Sequence, residues 1–258
     1  MCGIYGITAH DPAFIQQYIK TCSHRGPDGS KIWWDPEHKI TLGHNLLSIM
    51  ADPQLSVQPW KTPNGNTLVY NGEIFNYHEL KSKYKDKGFS GITGCDTELL
   101  AWGLDKFGLN FIDEIDSMHG FAYYKHKEQQ IYLSRDHAGI KPLYYLKFDN
   151  QFYFASEMKA FKEIIPLKLN FNKLVEYMTW GSILGSETLF KEIKQLEPGH
   201  FLEINKNFKI KKNMFFNLKN TFSNSSKSFN INSIDKELRD SIKSHTVSDV
   251  GYGTQLSG

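Results

Sequence analysis

The chain has 258 residues, which is enough for one or two domains that each bury a core. Hydrophobic residues make up 40% and charged residues 22%, a globular composition that excludes wholesale disorder and coiled-coil rods. The formal net charge is only +2, and 27 of the 30 basic residues are lysines scattered along the chain. Neither a nucleic-acid partner nor a membrane surface is indicated by this charge pattern.

Cysteine usage and hydropathy exclude further classes. Cys2, Cys22 and Cys95 are an odd number without a CxxC pair, which argues against a disulfide framework and a cysteine-rich zinc site. No uncharged apolar run approaches the roughly 18 residues that span a bilayer, and the N-terminus lacks the basic and apolar regions of a signal peptide. We therefore expect a cytoplasmic protein without a metal site, in which any cysteine chemistry depends on a single thiol.

Strand-like and helix-like patterns alternate along the first part of the chain. CGIYGIT predicts a buried strand, and residues 12–22 predict an amphipathic helix after an Asp-Pro start. Aromatic and β-branched clusters between Gly, Asn, Asp and Pro predict strands at KIWWD, ITLGHNLLSIM, NTLVYNGEIF, GFAYYKH, QQIYLSRD, PLYYLKF and QFYFASEM. Further helices are predicted at residues 77–87, 96–107 and 171–178. The pattern favours sheets with helices on their faces.

The composition changes after the first 205 or so residues. NKNFKIKKN predicts an edge hairpin, and the polar stretch 217–230 predicts a linker. Ile234, Leu238 and Ile242 recur every fourth residue and predict a short helix, after which we expect GYGTQLSG to be a strand that runs into a loop. These apolar residues and Leu256 would be exposed unless another chain covers them. We therefore expect this tail to be poorly ordered or bound to a partner.

Cys2 has the most informative position among the residues that could carry chemistry. Removal of Met1 is normal when the second residue is small, and it would give Cys2 both a thiol nucleophile and a terminal amine base. An α-amine titrates near ~7.7–8.0 and a thiol near ~8.5, so moving the proton from sulfur to nitrogen costs only about 1 kcal/mol. Because many proteins begin with Met-Cys, the dipeptide alone does not decide between catalysis and chance.

Seven segments in a fixed order resemble one family. They are CGIYGI at the start, HRGPDG at 24–29, LSI at 47–49, NGEIFNY at 71–77, GCDTELL at 94–100, SRDHAGIKPLYY at 134–145 and ASEMKAF at 155–161. Together they resemble the glutamine-hydrolysing asparagine synthetases, whose glutaminase half is a class II amidotransferase domain of the N-terminal-nucleophile hydrolase type. HRGPDG, RDHAGIKPLYY and ASEMKAF point to this branch of the class II amidotransferases. The resemblance covers the whole chain, since ELRDSIKSHTVSDVGYGTQLSG looks like the opening of the synthetase domain.

The resemblance implies an α+β fold, a four-layer α-β-β-α sandwich followed by a truncated α/β start. It divides the chain into a glutaminase domain at 1–212, a linker at 213–230 and the start of an ATP-pyrophosphatase-type synthetase domain at 231–258. No cofactor is expected in this chain. ATP and magnesium are expected for the synthetase half, whose phosphate-binding Ser-Gly-Gly-x-Asp-Ser loop this chain enters only at Leu256, Ser257 and Gly258.

The implied activity is release of ammonia from L-glutamine through a thioester on Cys2, for ATP-dependent amidation of aspartate to asparagine in the complete enzyme. The implied partners are therefore L-glutamine and a synthetase domain or subunit. A homodimer is compatible with the resemblance, and neither nucleic acid nor a membrane is expected.

The resemblance also assigns roles within the site. Asn71 and Gly72 match the family's oxyanion pair, which donates N–H groups to the developing negative charge. Glu73 and Asp96 match positions that hold glutamine, and a carboxylate suits its α-ammonium group. Ser48 and Ile49 fall in the family's substrate-binding strand. The charged residues of HRGPDG and SRDH are assigned mainly to the scaffold.

Two of these assignments compete with simpler explanations. Asn71-Gly72 as a dipeptide is more often a hairpin turn than a catalytic pair. Asp96, directly before TELLAW, suits the N-cap of a helix on its own. The order of the surrounding motifs favours the catalytic interpretation of Asn71 and Gly72, and both interpretations of Asp96 stay open.

Leu46 departs from the family pattern. The family has an arginine at this position that grips the α-carboxylate of glutamine, and a leucine cannot replace a bidentate guanidinium. A hydrogen bond to a charged group is worth ~1.5–3 kcal/mol, so its loss weakens binding by roughly tenfold to more than a hundredfold. Two alternatives therefore stand beside the main hypothesis. One is a catalytically weak or silent glutaminase-fold module, and the other is a related amidotransferase with a different acceptor, such as a sugar or modified base.

Overall fold

Two antiparallel sheets form the centre of the molecule. The computed structural model describes residues 1–223 and 230–255, with only the backbone described at 221–223. The described strands are β1 (Gly3–Ile7), β2 (Gly29–Asp35), β3 (Ile40–Leu46), β4 (Trp60–Lys61), β5 (Thr67–Ile74), β6 (Ser117–Lys125), β7 (Gln130–Arg135), β8 (Tyr144–Phe148), β9 (Gln151–Ala155), β10 (Lys194–Gln195), β11 (His200–Ile204) and β12 (Ile210–Met214). The first sheet has the order β10-β8-β9-β1-β3-β2, and the second has the order β12-β11-β7-β6-β5-β4.

The two sheets pack face to face through apolar side chains that alternate along the strands. Ile4, Leu42 and Phe154 of the first sheet meet Val69 and Leu133 of the second in one fully buried cluster. Successive side chains of a strand point to opposite faces, so the remaining apolar residues of these strands cover the outer faces. Each sheet therefore needs a further layer on its outer side.

Helices supply these outer layers. Helix α1 (Pro12–Thr21) is capped at its N-terminus by Asp11, whose carboxylate accepts a hydrogen bond from the Phe14 N–H at 2.9 Å. Its buried residues pack with Tyr5 and Ile7 on the first sheet. Helices α2 (Tyr77–Tyr84) and α3 (Asp96–Phe107) pack on the second sheet through a cluster that includes Leu80, Leu99, Leu100, Leu104 and Phe121. The predicted α-β-β-α sandwich is confirmed.

The C-terminal part adds helices outside the sandwich. They are α4 (Phe171–Trp180), α5 (Leu218–Ser223) and α6 (Ile231–Ser244). Helix α6 confirms the predicted helix, and its Ile234, Leu238 and Ile242 side chains are 51–59% exposed. Part of the predicted linker is helical, because α5 lies within 217–230, while residues 224–229 lie outside the described residues. None of the described helices has the length and hydropathy of a membrane-spanning segment.

Two strand predictions need correction. ITLGHNLLSIM was expected to be extended throughout, but β3 ends at Leu46, where its antiparallel partner strands begin: Gly3 of β1 pairs with Asn45, and Gly29 of β2 pairs with Leu46. The GYGTQLSG strand does not form over residues 251–255, which have no regular structure, and Leu256 to Gly258 lie outside the described residues. No described strand lies alongside residues 251–255 to complete a hydrogen-bonded ladder.

Candidate active site

One pocket lies where β1 begins and β3 ends. It is narrow, with a volume of about 40 Å³ while Met1 is still part of its lining. All eight residues that the sequence predicts for the site line this pocket: Cys2, Leu46, Ser48, Ile49, Asn71, Gly72, Glu73 and Asp96. The fold therefore brings together residues from four separate stretches of the chain, and their chemical roles stay predictions.

Cys2 lies directly before β1, with its sulfur against the segment that follows β3. The Leu47 N–H donates to Cys2 Sγ at 3.4 Å, and the thiol lies 3.5 Å from the Leu47 carbonyl oxygen, to which it donates. Burial raises the pKa of the Cys2 thiol and outweighs the Leu47 N–H and the nearby terminal ammonium, which favour the thiolate. With Met1 in place the thiol is therefore protonated at neutral pH. A base next to the sulfur is needed, and the α-amine released by loss of Met1 would be one.

Arg25 fixes the backbone of Cys2. Its Nε donates to the Cys2 carbonyl oxygen at 2.9 Å, and its Nη1 donates to Glu157 Oε1 at 2.9 Å. HRGPDG and ASEMKAF therefore meet behind the nucleophile as scaffold. Asp136 from the SRDH segment also acts as scaffold, because its carboxylate accepts the backbone N–H of Lys141 at 3.0 Å.

Asn71 and Gly72 lie inside β5, so the hairpin-turn explanation is wrong. The Asn71 side-chain nitrogen Nδ2 is buried and has no hydrogen-bond partner among the described residues. A buried donor without a partner costs about 1–3 kcal/mol, which is the pattern expected of a group that waits for a ligand. At Gly72 a Cβ atom would lie 2.3 Å from the Met118 carbonyl oxygen, so no other residue fits without a shift of backbone. Gly72 is needed for close approach rather than for a positive φ.

Asp96 is the first residue of α3, and its side chain reaches back to β5. Its Oδ2 accepts hydrogen bonds from the Tyr70 hydroxyl and from the Ile74 N–H, both at 3.1 Å. The N-cap position of α3 is Cys95, which makes no capping bond with its side chain. The N-cap explanation of Asp96 is therefore wrong, and contacts with β5 hold its carboxyl group in the pocket.

The pocket holds two carboxyl groups that are both shielded from water. Burial raises the pKa of Asp96. Burial, followed by the charge of Asp96, raises the pKa of Glu73 to about 6, although Lys141 and His245 oppose this shift. A cation bound between the two groups would relieve their repulsion and the cost of burial. The ammonium group of an amino acid has the charge and size for this position.

Leu46 ends β3 and lines the pocket with 6% exposure, at the position where the resemblance implies an arginine. His44 does not replace that charge, because burial lowers its pKa to about 3. Among the described residues of the pocket wall, Lys141 is the one basic side chain. It is 5% exposed, and burial lowers its pKa, a shift that a thiolate on Cys2 and the Glu73 carboxylate would oppose. Lys141 is thus the candidate for holding a carboxylate.

Sequence reasoning missed several residues of the pocket wall. Lys141 belongs to SRDHAGIKPLYY, so the motif itself was the available signal. Gln58 had no signal in the sequence. Its Oε1 accepts from the Tyr70 N–H at 2.6 Å, and its Nε2 donates to Thr97 Oγ1 at 3.1 Å. Gln58 thereby ties β5 to α3 within the pocket wall.

Comparison with known proteins finds a matching family and several relatives. Residues 1–216 match the family described as glutamine amidotransferase domain. The whole chain is 30% identical to the glutamine-hydrolyzing asparagine synthetase 1 of Bacillus subtilis and 30% identical to asparagine synthetase B of Escherichia coli, and it covers 42% and 43% of their lengths. It is 34% identical to a putative glutamine-hydrolyzing asparagine synthetase of Methanocaldococcus jannaschii, of which it covers 55%. The chain thus spans about half the length of these curated relatives.

Solved structures share the fold at lower identity. The glutamine phosphoribosylpyrophosphate amidotransferase of B. subtilis matches with a TM-score of 0.61 and 22% identity, over 83% of this chain and 49% of that one. A structure described as the allosteric regulatory enzyme of purine biosynthesis matches with a TM-score of 0.63 and 21% identity, over the same shares of the two chains. By the match over residues 1–216, the chain belongs to the glutamine amidotransferase domain family.

Proposed function

We propose that this chain hydrolyses L-glutamine at Cys2 and that the complete protein uses the ammonia to convert aspartate to asparagine. One observation carries the proposal. The Cys2 thiol and the buried Asn71 amide, whose donor is unpartnered among the described residues, line the same pocket. A nucleophile and a spare hydrogen-bond donor on one small cavity are the components needed to attack a carboxamide.

The reaction follows from these groups. After loss of Met1, the terminal amine of Cys2 takes the thiol proton, and the sulfur attacks the side-chain carbonyl carbon of glutamine. The carbonyl oxygen becomes negative and accepts hydrogen bonds from N–H groups of Asn71 and Gly72. The carbon–nitrogen bond then breaks as the amine returns its proton, and ammonia leaves. Water cleaves the γ-glutamyl thioester, which releases glutamate and restores the thiol.

The α-amino and α-carboxyl groups of glutamine need partners of opposite charge. Glu73 and Asp96 supply carboxylates for the ammonium group, and Lys141 supplies a cation for the carboxylate in place of the arginine that Leu46 replaces. Main-chain groups of Ser48 and Ile49 complete the wall. An amide that lacks either charged group should therefore bind weakly.

The acceptor is proposed from the relatives, which are named as asparagine synthetases. ATP and magnesium belong to the synthetase half. The residues that the resemblance assigns to the ATP loop begin at Leu256, outside the described residues. We place the reaction in the cytoplasm, in a single copy or a homodimer of the chain. Neither a nucleic-acid partner nor a membrane is expected, in line with the net charge of +2.

Glutamate release from L-glutamine tests the proposal. The purified chain is first checked by intact mass for loss of Met1, and Cys2→Ala serves as the blank. Turnover that disappears in Cys2→Ala is the expected result. A folded, Met1-free chain with neither turnover nor calorimetric heat at millimolar glutamine would instead favour the silent module with Leu46 in place of arginine.

A further inference from the structure

Residues 245–249 lie outside the matched family domain but return to the candidate active site. The Asp249 N–H donates to the Ile49 carbonyl oxygen at 3.0 Å. The Asp249 carboxylate oxygen Oδ2 accepts a hydrogen bond from the Ala51 N–H at 2.7 Å. Asp249 thus binds two backbone groups: its N–H bonds to residue 49, and its carboxylate bonds to residue 51. We call residues 47–51 the pocket loop.

The pocket loop controls the surroundings of the nucleophile. Leu47 contacts the Cys2 sulfur through both its N–H and its carbonyl oxygen, and the following three residues line the pocket. Because β3 ends at Leu46, no strand ladder holds the loop. Side chains hold it instead: Asp28 Oδ2 accepts from the Ser48 N–H at 2.8 Å, Ser56 Oγ donates to the Met50 carbonyl oxygen at 3.0 Å, and Asp249 binds the Ala51 N–H.

Ala51 shows that this loop needs external support. Its φ of +63° lies in the left-handed region, which is unfavourable for a residue with a Cβ atom. Such a conformation persists when its surroundings impose it. The N–H of Ala51 is bonded to Asp249, and its carbonyl oxygen accepts from Ser48 Oγ at 3.0 Å. The Asp249 contact is therefore one of two bonds that fix the strained residue.

The segment that carries Asp249 is itself anchored on the glutaminase domain. The ring of His245 lies on Phe75, with 3.9 Å between the ring centroids. Val247 packs against the apolar cluster formed by α2, α3 and β5. Phe75 follows β5 directly, two residues after Glu73. Contacts from residues 245–249 therefore reach both walls of the pocket, the loop that holds Cys2 and the strand that carries the predicted oxyanion pair.

We propose that Asp249 is a positioning residue for glutamine hydrolysis: it holds the pocket loop in its left-handed turn and thereby keeps Leu47 on the Cys2 sulfur and the main chain of Ser48 and Ile49 toward the substrate. The inference rests on the proposed function, because it takes glutamine as the ligand of this loop. It also gives the region after the matched domain a direct influence on the glutaminase site.

The test compares three variants of the full 258-residue chain. Asp249→Ala removes the acceptor for the Ala51 N–H, whereas Asp249→Asn keeps an oxygen in its place. Asp240→Ala is the matched control, because Asp240 is exposed on α6 and has no described contact with the pocket loop. For each variant, kcat and KM for glutamine are measured together with hydrogen exchange of backbone amides in the pocket loop.

Asp249→Ala should lower kcat/KM by about threefold to tenfold, chiefly through KM, and should speed amide exchange in the loop. Asp249→Asn should recover most of both effects, and Asp240→Ala should change neither. Unchanged exchange and kinetics in Asp249→Ala, or equal changes in Asp240→Ala, would overturn the inference. If the wild-type chain released no glutamate, the proposed function would fail. The exchange data would then still show whether Asp249 holds the loop.

Discussion

At the scale of single residues, Asn71 carries the strongest prediction. Asn71→Ala removes the buried donor that has no partner among the described residues, and should lower kcat for glutamine hydrolysis by about 10²–10³-fold, because an oxyanion donor acts chiefly in the transition state. Asn71→Asp keeps the shape of the side chain without its amide hydrogens and should lose a similar factor. Steady-state kinetics on both variants, with melting temperatures to verify folding, provide the measurement. A change under threefold would remove Asn71 from the oxyanion site.

Leu46 tests how the substrate carboxylate is held. Leu46→Arg should lower KM for glutamine by roughly tenfold or more, because the guanidinium restores a charged hydrogen bond at the pocket wall. Leu46→Met keeps the volume without the charge and should leave KM near the wild-type value. Lys141 offers a single ammonium group and not a bidentate guanidinium, so the added arginine should still tighten binding. An unchanged KM in Leu46→Arg would mean that Lys141 alone already holds the carboxylate fully.

The buried carboxylate of Glu73 should lower the free energy of unfolding, although the same group is proposed to bind the substrate. Its folded pKa of about 6 is higher than that of an exposed glutamate, so the folded state binds a proton more tightly than the unfolded state. Stability therefore falls as pH rises from about 4.5 through 6, by about 2 kcal/mol in total. Glu73→Gln should raise the free energy of unfolding at pH 7.5 by about that amount while raising KM for glutamine.

Denaturant titrations at several pH values measure the effect of Glu73→Gln. The exposed Glu79 of α2 supplies the control variant Glu79→Gln, which should change neither property. If Glu73→Gln were no more stable than wild type at pH 7.5, the charge of Glu73 would not be unfavourable in the folded protein.

At the scale of secondary-structure elements, Asp35 joins the ends of two hairpins. It closes the β2–β3 turn, and its Oδ2 accepts from His38 Nδ1 and from His126 Nδ1 of the β6–β7 turn, both at 2.8 Å. Burial alone would raise the pKa of Asp35, but hydrogen bonds from His38, His126 and Tyr124 lower it to about 2. The two sheets are thus tied at the end away from the pocket by one ionised carboxylate.

The low pKa of Asp35 predicts how stability depends on pH. Its contribution is fully present above the unfolded pKa of about 4 and is lost as pH falls toward 2, and it amounts to about 2 kcal/mol. Asp35→Asn should therefore be less stable than wild type at pH 7, and the difference should shrink below pH 4. The exposed Asp113 gives the control Asp113→Asn. Urea unfolding from pH 2.5 to 7 measures both, and a difference that stays constant with pH would contradict the assignment.

At the scale of the whole molecule, the two central layers were predictable because their strands carry local signals. Buried strands such as β1 and β9 are short segments rich in apolar and aromatic residues between turn residues, and α3 shows its apolar spacing plainly. The end of β3 was not predictable. The strand ends where the partner strands β1 and β2 begin, which is a matter of long-range pairing, and the sequence near Leu47 still has the pattern of a strand.

The candidate site was predictable in its members but not in its electrostatics. The order of the motifs in the sequence predicted the eight residues that the pocket brings together, from Cys2 to Asp96. The carboxyl pair, the basic Lys141 and the Gln58 link depend on which side chains become buried side by side. Contacts such as those of Asp249 with the pocket loop join residues almost 200 positions apart, so no local pattern reveals them.

The most direct measurement of the central claim is the fate of Cys2 itself. The purified chain is treated with a diazo-ketone analogue of glutamine, which alkylates a nucleophile that recognises the glutamine skeleton, and is then examined by intact and peptide mass spectrometry. We predict a chain without Met1 that gains one adduct, located on Cys2 and suppressed by excess L-glutamine. Retention of Met1 together with no adduct on Cys2, or labelling that glutamine does not suppress, would contradict a glutaminase site built around Cys2.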